Sequence, residues 1–355
     1  MRLIAGTSIV ALLLASAAAG ARSPRVECIA GSGTGALGGP AKTVKLIEPF
    51  AVAFDKSDNA YICEYKGQRI SKLDKSGTLS LFAGIEKIAY SGDGGPAREA
   101  AFNDPHGLVV GRDQQIYVAD TLNHSIRKID LKTGTITTIA GTGERGFSGD
   151  GGPAAKAVFN GVYAVAINQA ADKVYAADLE NRRARLVDLK TGIVTTVAGN
   201  GETGIPADGA DATQSPLLDP RAVAVDSRGN LYVLERRGNA LRVVNPQGKI
   251  RTLIGPASGA HAASGPKLNG PKHLCVDLND NVIIADAENN LIRRYTPKDG
   301  KTVTIAGTGE KGELLVPEDP LKTQLNRPHG VYVHRSGALY ISDSYNHRIL
   351  KITGW

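Results

Sequence analysis

Two tripeptides, Pro105-His106-Gly107 and Pro328-His329-Gly330, set a histidine in the same local frame at distant points of the chain. A neutral imidazole held beside a rigid proline can ligate zinc or act as a general base. A second group is cationic: Arg182 and Arg183 stand together in one segment, Arg236 and Arg237 in another. Such a cluster could attract an anionic partner. A third group is acidic, with Glu64, Asp120, Asp178, Glu235, Asp286 and Asp343 recurring along the chain. No Gly-x-Ser-x-Gly, His-Glu-x-x-His or P-loop occurs, so no nucleophile constellation stands out.

The recurring acids reveal what must position these groups. They are 56, 58, 57, 51 and 57 residues apart, and each anchors a similar string, as in "IYVADTLNHSIRKID" and "LYISDSYNHRILKIT". Six copies at so steady a period mean a repeat architecture. Each copy divides into four short strands. They are an alternating run after a proline, a run ending in the acid, a third strand with Ile70, Ile126, Ala184, Leu241, Ile292 or Ile349 six residues past the acid, and a β-branched run ending in glycine. Four short strands per repeat, arranged radially, describe an all-β, six-bladed propeller. The sixth copy lacks its fourth strand, and Cys28-Ile29-Ala30-Gly31 matches the missing one, so the N-terminal segment is expected to close the last blade.

That arrangement assigns roles. A catalytic carboxylate is needed once or twice, whereas an acid in every blade reads as a turn brace accepting backbone N–H groups. Only Gly or Asn stands three residues past it (Gly67, Asn123, Asn181, Gly238, Asn289, Asn346), which predicts a left-handed turn there. The residue after each proline, or its equivalent, should rim the central channel: Phe50, His106, Tyr163, Arg221, Lys272 and His329. This polar, uneven ring is the expected ligand site, with Arg182, Arg183, Arg236 and Arg237 forming a basic face beside it.

The proline, the apolar alternation, Gly229 to Val233 and Asn346 to Ile349 resemble the NHL-repeat propellers, over residues 26–355. The connectors Ser91 to Ala97 and Ser148 to Ala154 are similar to those of exported bacterial members. The resemblance implies the fold more than an activity. Peptidyl-hydroxyglycine amidating lyases, six-bladed relatives, place zinc-binding histidines at similar Pro-His positions on alternate blades. Here His106 and His329 match two of them, but the third is Arg221, and His273 would have to intrude to complete the set. Asp93 and Asp150 supply one carboxylate per connector, few for calcium. The leading expectation is therefore a binding module without cofactor; a metal-dependent lyase or hydrolase using His106 and His329 is the alternative, with zinc or calcium as the metals to consider.

Composition bounds the setting. The chain has 355 residues, 42 glycines and a formal charge of +7. Arg2, the apolar run Leu3 to Ala18 and small residues up to Ala21 form a signal-peptide pattern over residues 1–21, leaving 22–355 as one domain. Export to the periplasm or beyond follows, as a monomer with no membrane span after cleavage. A protein or an anionic glycan or envelope polymer is the expected partner, and no nucleic acid. Three cysteines, Cys28, Cys63 and Cys275, are a poor disulfide framework.

Overall fold

The computed structural model describes residues 23–257 and 266–355; the expected signal peptide, residues 1–21, lies outside them. Six antiparallel sheets are arranged around a channel. Their innermost strands are Pro49–Phe54, Pro105–Val110, Val162–Ile167, Pro220–Val225, His273–Val276 and Gly330–Val333. Each innermost strand touches the next, and the sixth touches the first, so the ring is closed. Alternation drives this: Ala51, Ala53, Val223 and Val331 are buried between adjacent blades, where small and branched side chains let the sheets approach. All six third-strand residues named above are fully buried.

The N-terminal strand Arg25–Gly31 closes the sixth sheet, pairing antiparallel with Arg348–Thr353 from Arg25↔Thr353 to Gly31↔Arg348. Its Val26 enters the core of that blade with Ile341, Leu350 and Ile352. The first blade gains a short fifth strand, Gly39–Pro40, on its outer edge, an addition that the repeat pattern does not announce. The three cysteines are free thiols.

The six acids brace the top of each blade, and the brace is larger than a turn. All six are fully buried. Each accepts a backbone N–H from the segment entering its own blade, such as Asn103 N–H to Asp120 at 2.8 Å and Leu218 N–H to Glu235 at 2.9 Å. Each also meets an arginine of its third strand: Arg69, Arg127, Arg185, Arg242, Arg293 and Arg348, at 2.9, 3.1, 3.4, 2.9, 2.7 and 2.7 Å. A carboxylate so enclosed is a structural anchor, and removing its arginine would leave a buried charge unpaired at a cost of about 3–5 kcal/mol.

The expected left-handed turn is present but one residue later. The positive-φ residues are Gln68, His124, Arg182, Asn239, Asn290 and His347, with φ of 48–53°. The preceding Asn is selected by its side chain instead. Asn123, Asn181, Asn289 and Asn346 each donate to the Asp of their own blade at 2.8–2.9 Å. Glycine replaces Asn only where the acid is the longer Glu: a Cβ at Gly238 would run into the Glu235 carboxylate, and one at Gly67 would crowd Glu64 Cβ at 3.0 Å and Arg69 at 3.3 Å. That is tighter than side chains tolerate.

Candidate ligand site at the channel mouth

Each innermost strand is preceded by a second left-handed residue: Glu48, Asp104, Gly161, Asp219, Gly270 and Arg327. In five of the six joints the backbone N–H of this residue is held by the left-handed side chain of the blade before it. Asp104 N–H donates to Gln68 Oε1, Gly161 to His124 Nδ1, Gly270 to Asn239 Oδ1, Arg327 to Asn290 Oδ1 and Glu48 to His347 Nδ1, at 2.8–3.2 Å. These clasps fix the start of each innermost strand, and so fix the side chain two residues on, which is the mouth residue. Between blades three and four the clasp position is Arg182, which has no acceptor atom. Among the described residues the Asp219 N–H has no such partner.

The six mouth residues do converge. Phe50 stacks on His329 (centroids 3.9 Å, 7° between planes) and on Tyr65 (4.5 Å), and meets His106 edge-on at 5.3 Å. His106 in turn meets Tyr163 at 4.6 Å, and the Arg221 guanidinium lies over the Tyr163 ring at 4.5 Å. The result is an aromatic arc over blades six, one, two and three, with Arg221 and Lys272 completing the circle. Tyr65, just past the first blade's acid, was not among the expected site residues. Its position is one where the second, fifth and sixth blades carry Thr121, Ala287 and Ser344, an irregularity legible in the repeat alignment.

Both histidines use Nδ1 locally. His106 donates to the carbonyl of Asp104 at 2.7 Å and His329 to that of Arg327 at 2.8 Å, so each neutral ring carries its proton on Nδ1 and offers Nε2 as an acceptor. Burial, and then the positive charge of Arg221, hold both well below the usual histidine range. His273 accepts weakly from Val331 N–H at 3.5 Å, and burial followed by Arg221 pushes it down to about 4. Burial and Arg221 also lower Lys272, to about 8. Arg221 itself is lowered to about 10, first by burial and then by Arg236. One cation thus reaches groups on blades two, five and six, as a charge in the middle of the mouth would.

The zinc set implied by the amidating-lyase resemblance does not fit these residues. Phe50 contacts both imidazoles, and the third position holds a guanidinium that cannot ligate. Among the described residues no group of three or more His, Cys, Asp or Glu gathers at metal-binding distance. The connector carboxylates face arginines: Asp93 meets Arg127 and Asp150 meets Arg185, both at 2.9 Å.

The outer basic residues have partners of their own. Arg236 pairs with Asp219 at 2.7 Å, and the mostly exposed Arg237 approaches the same carboxylate at 3.8 Å. Arg183 donates to the carbonyls of Asn181 and Asn200 and lies over Phe147, while Arg182 donates to Gly201. Lys272 stands 3.4 Å from Glu288, which also pairs with Arg327.

Residues 102–129 and 325–352 match the NHL repeat model. The chain is 28% identical to NHL repeat-containing protein 2 of Gallus gallus over 342 residues, covering 86% of this chain and 46% of that protein. It is 26% identical to Protein SUPPRESSOR OF QUENCHING 1, chloroplastic, of Arabidopsis thaliana, covering 74% of this chain and 26% of that protein. The chain therefore spans less than half the length of these relatives. Among solved structures, a Bacteroides thetaiotaomicron protein of unknown function superposes with a TM-score of 0.67 at 17% identity, covering 93% of this chain and 76% of that one. A streptogramin B lyase superposes at 0.52 and 15% identity, covering 93% and 98%. At such identities these structures share the fold alone. With the repeat matches falling on blades two and six and one strand plan running through all six blades, the chain is a six-bladed β-propeller that carries NHL repeats.

Proposed function

We propose that this protein is a recognition module that binds its ligand at the channel mouth, among Phe50, His106, Tyr163, Arg221, Lys272 and His329. The observation that carries the reading is the break in repetition at this one level. The acids and their arginines recur in all six blades and the clasps at five of six joints, while the six side chains at the mouth are two histidines, two other rings and two cations. Tyr65, His106 and Tyr163, each partly exposed, offer flat contact at low entropic cost, with polar tips to orient what binds. The basic face of Arg182, Arg183, Arg236 and Arg237 belongs to the proposal as an outer rim, and an anionic partner suits both levels. Export, and action in the periplasm or outside the cell, rest on the charge and hydropathy pattern of residues 1–21.

A ligand-retention experiment tests this. Purified protein is incubated with a metabolite and envelope extract, desalted, and examined by native mass spectrometry beside the variant His106→Trp, whose larger ring fills the mouth. A compound held by the parent and lost from the variant is the expected result. Compounds held equally by both would place binding elsewhere and overturn the proposal.

A further inference from the structure

Seven arginines are buried among the described residues, and six of them end on the acid of their own blade. The seventh is Arg221. It is 5% exposed, its Nε is sealed from solvent with no hydrogen-bond partner, and no carboxylate of the described residues meets it. Its one close partner is the Tyr163 ring, 4.5 Å away, and no acceptor among the described residues takes its N–H groups. A buried charge without a counter-charge is costly, and the fold pairs every comparable arginine. The neighbourhood adds to the deficit: Arg221, Lys272, Arg236 and Arg327 stand against three carboxylates, Asp219, Glu288 and Glu48.

From this we infer that the mouth binds a small organic carboxylate, with its two oxygens on the N–H groups of Arg221 and its ring-shaped body against the partly exposed Tyr65 and Tyr163. The inference rests on the recognition reading above and gives the ligand its chemistry. A guanidinium edge presents parallel N–H donors that match two carboxylate oxygens, and Lys272 adds a second cation on the same side. The other side of the mouth repels such a group. His106 and His329 offer only Nε2 lone pairs, so they receive a hydroxyl or N–H of the ligand rather than its anion. The depth of Arg221 also matters. A terminal carboxylate on a narrow body can reach it, whereas the backbone of a polyanion lying across the disc would meet Arg237 and the outer rim first.

The test measures binding of benzoate, digalacturonate, benzamide and inorganic phosphate to the full chain by titration calorimetry, with Arg221→Gln, Arg221→Lys and Lys272→Gln as variants. At least one of the two carboxylates should bind the parent, and benzoate should bind at least tenfold more tightly than its neutral isostere benzamide if the ring body is aromatic. Digalacturonate as the tighter ligand would mark a sugar acid and supports the inference equally. Arg221→Gln should weaken the carboxylate at least 30-fold, Arg221→Lys should restore part of that, and Lys272→Gln should cost about threefold to tenfold. Should Arg221→Gln fail to fold, the Lys272 variant and the benzamide comparison still decide. Tighter binding of phosphate than of either carboxylate, unchanged binding by Arg221→Gln, or no carboxylate binding at 10 mM would overturn it. A neutral compound retained by the parent and lost from His106→Trp would leave the recognition module standing and remove only the carboxylate.

Discussion

Replacing Arg182 with Asn should make the protein more stable. Arg182 occupies the left-handed clasp position between blades three and four with φ of 51°. At the equivalent positions Asn239 and Asn290 accept the next blade's N–H at 2.8 and 2.9 Å. Asn at 182 would supply the absent acceptor for Asp219 N–H, and one such hydrogen bond contributes about 0.5–1.5 kcal/mol net. Asn also tolerates a positive φ better than Arg, by a few tenths of a kcal/mol at roughly threefold enrichment. Against this stands the loss of the Arg182 contact to the Gly201 carbonyl, long at 3.3 Å, which is worth no more than about 0.5 kcal/mol. The balance is a gain of about 1 kcal/mol. Urea unfolding followed by circular dichroism measures it as a rise in midpoint at unchanged slope. The reverse change, Asn239→Ala, should cost about 2 kcal/mol, since it leaves the Gly270 N–H unpaired and places alanine in a left-handed conformation. An Arg182→Asn midpoint equal to or below the parent's would refute the clasp as the device that joins the blades.

Other consequences follow from the same geometry. A chain without residues 24–34 should unfold at markedly lower urea, because blade six loses its outer strand and the buried Val26, and a peptide spanning those residues should restore part of the loss; parent-like unfolding would sink the closure. Gly238→Asn alone should destabilise by about 1–3 kcal/mol through its clash with Glu235, and Glu235→Asp in the same chain should recover much of it, read as a non-additive double-mutant cycle. The pH dependence from the histidines has a definite sign. His106, His273 and His329 have depressed values in the folded state, so below about 6.5 the unfolded chain takes up protons that the folded chain refuses. The contribution of these rings should therefore be full above pH 6.5 and fall as pH drops toward 4, by up to about 1.4 kcal/mol per pH unit for each histidine, while burial, which raises Asp120 and Asp178 to about 6, acts in the opposite sense below pH 6; NMR showing the three imidazoles protonated in the folded chain at pH 5 would contradict the buried, neutral rings.

The sequence carries the fold almost entirely, because what repeats six times is what the backbone needs. Strand alternation, the acid and the N-terminal match to the missing fourth strand are each legible by aligning the chain with itself. The acid's arginine is written in the sequence too, but at two offsets, five residues past the acid for Arg69 and Arg348 and seven for Arg127, Arg185, Arg242 and Arg293, so no single repeat position marks it. The turn itself was misplaced by one residue. Asn at the third position looks like a backbone choice, and only the side-chain bond to Asp120 or Asp343 reveals that it is a hydrogen-bond choice. The ring of mouth residues was found by position, but its organisation was not. That Phe50 would stack on His329, or that Arg221 alone among the buried arginines would lack an acid, depends on contacts between blades some 60 to 280 residues apart in sequence, which no repeat pattern records.

The most direct measurement is the position of a ligand carrying a heavy atom. Crystals of the protein soaked in 4-bromobenzoate and measured at the bromine edge should show an anomalous peak inside the channel mouth, near Phe50, Tyr65 and Tyr163, with the carboxylate on the Arg221 edge. The peak should vanish in Arg221→Gln crystals. Bromine bound only on the outer surface of the disc, or an unchanged mouth peak without Arg221, would contradict the account.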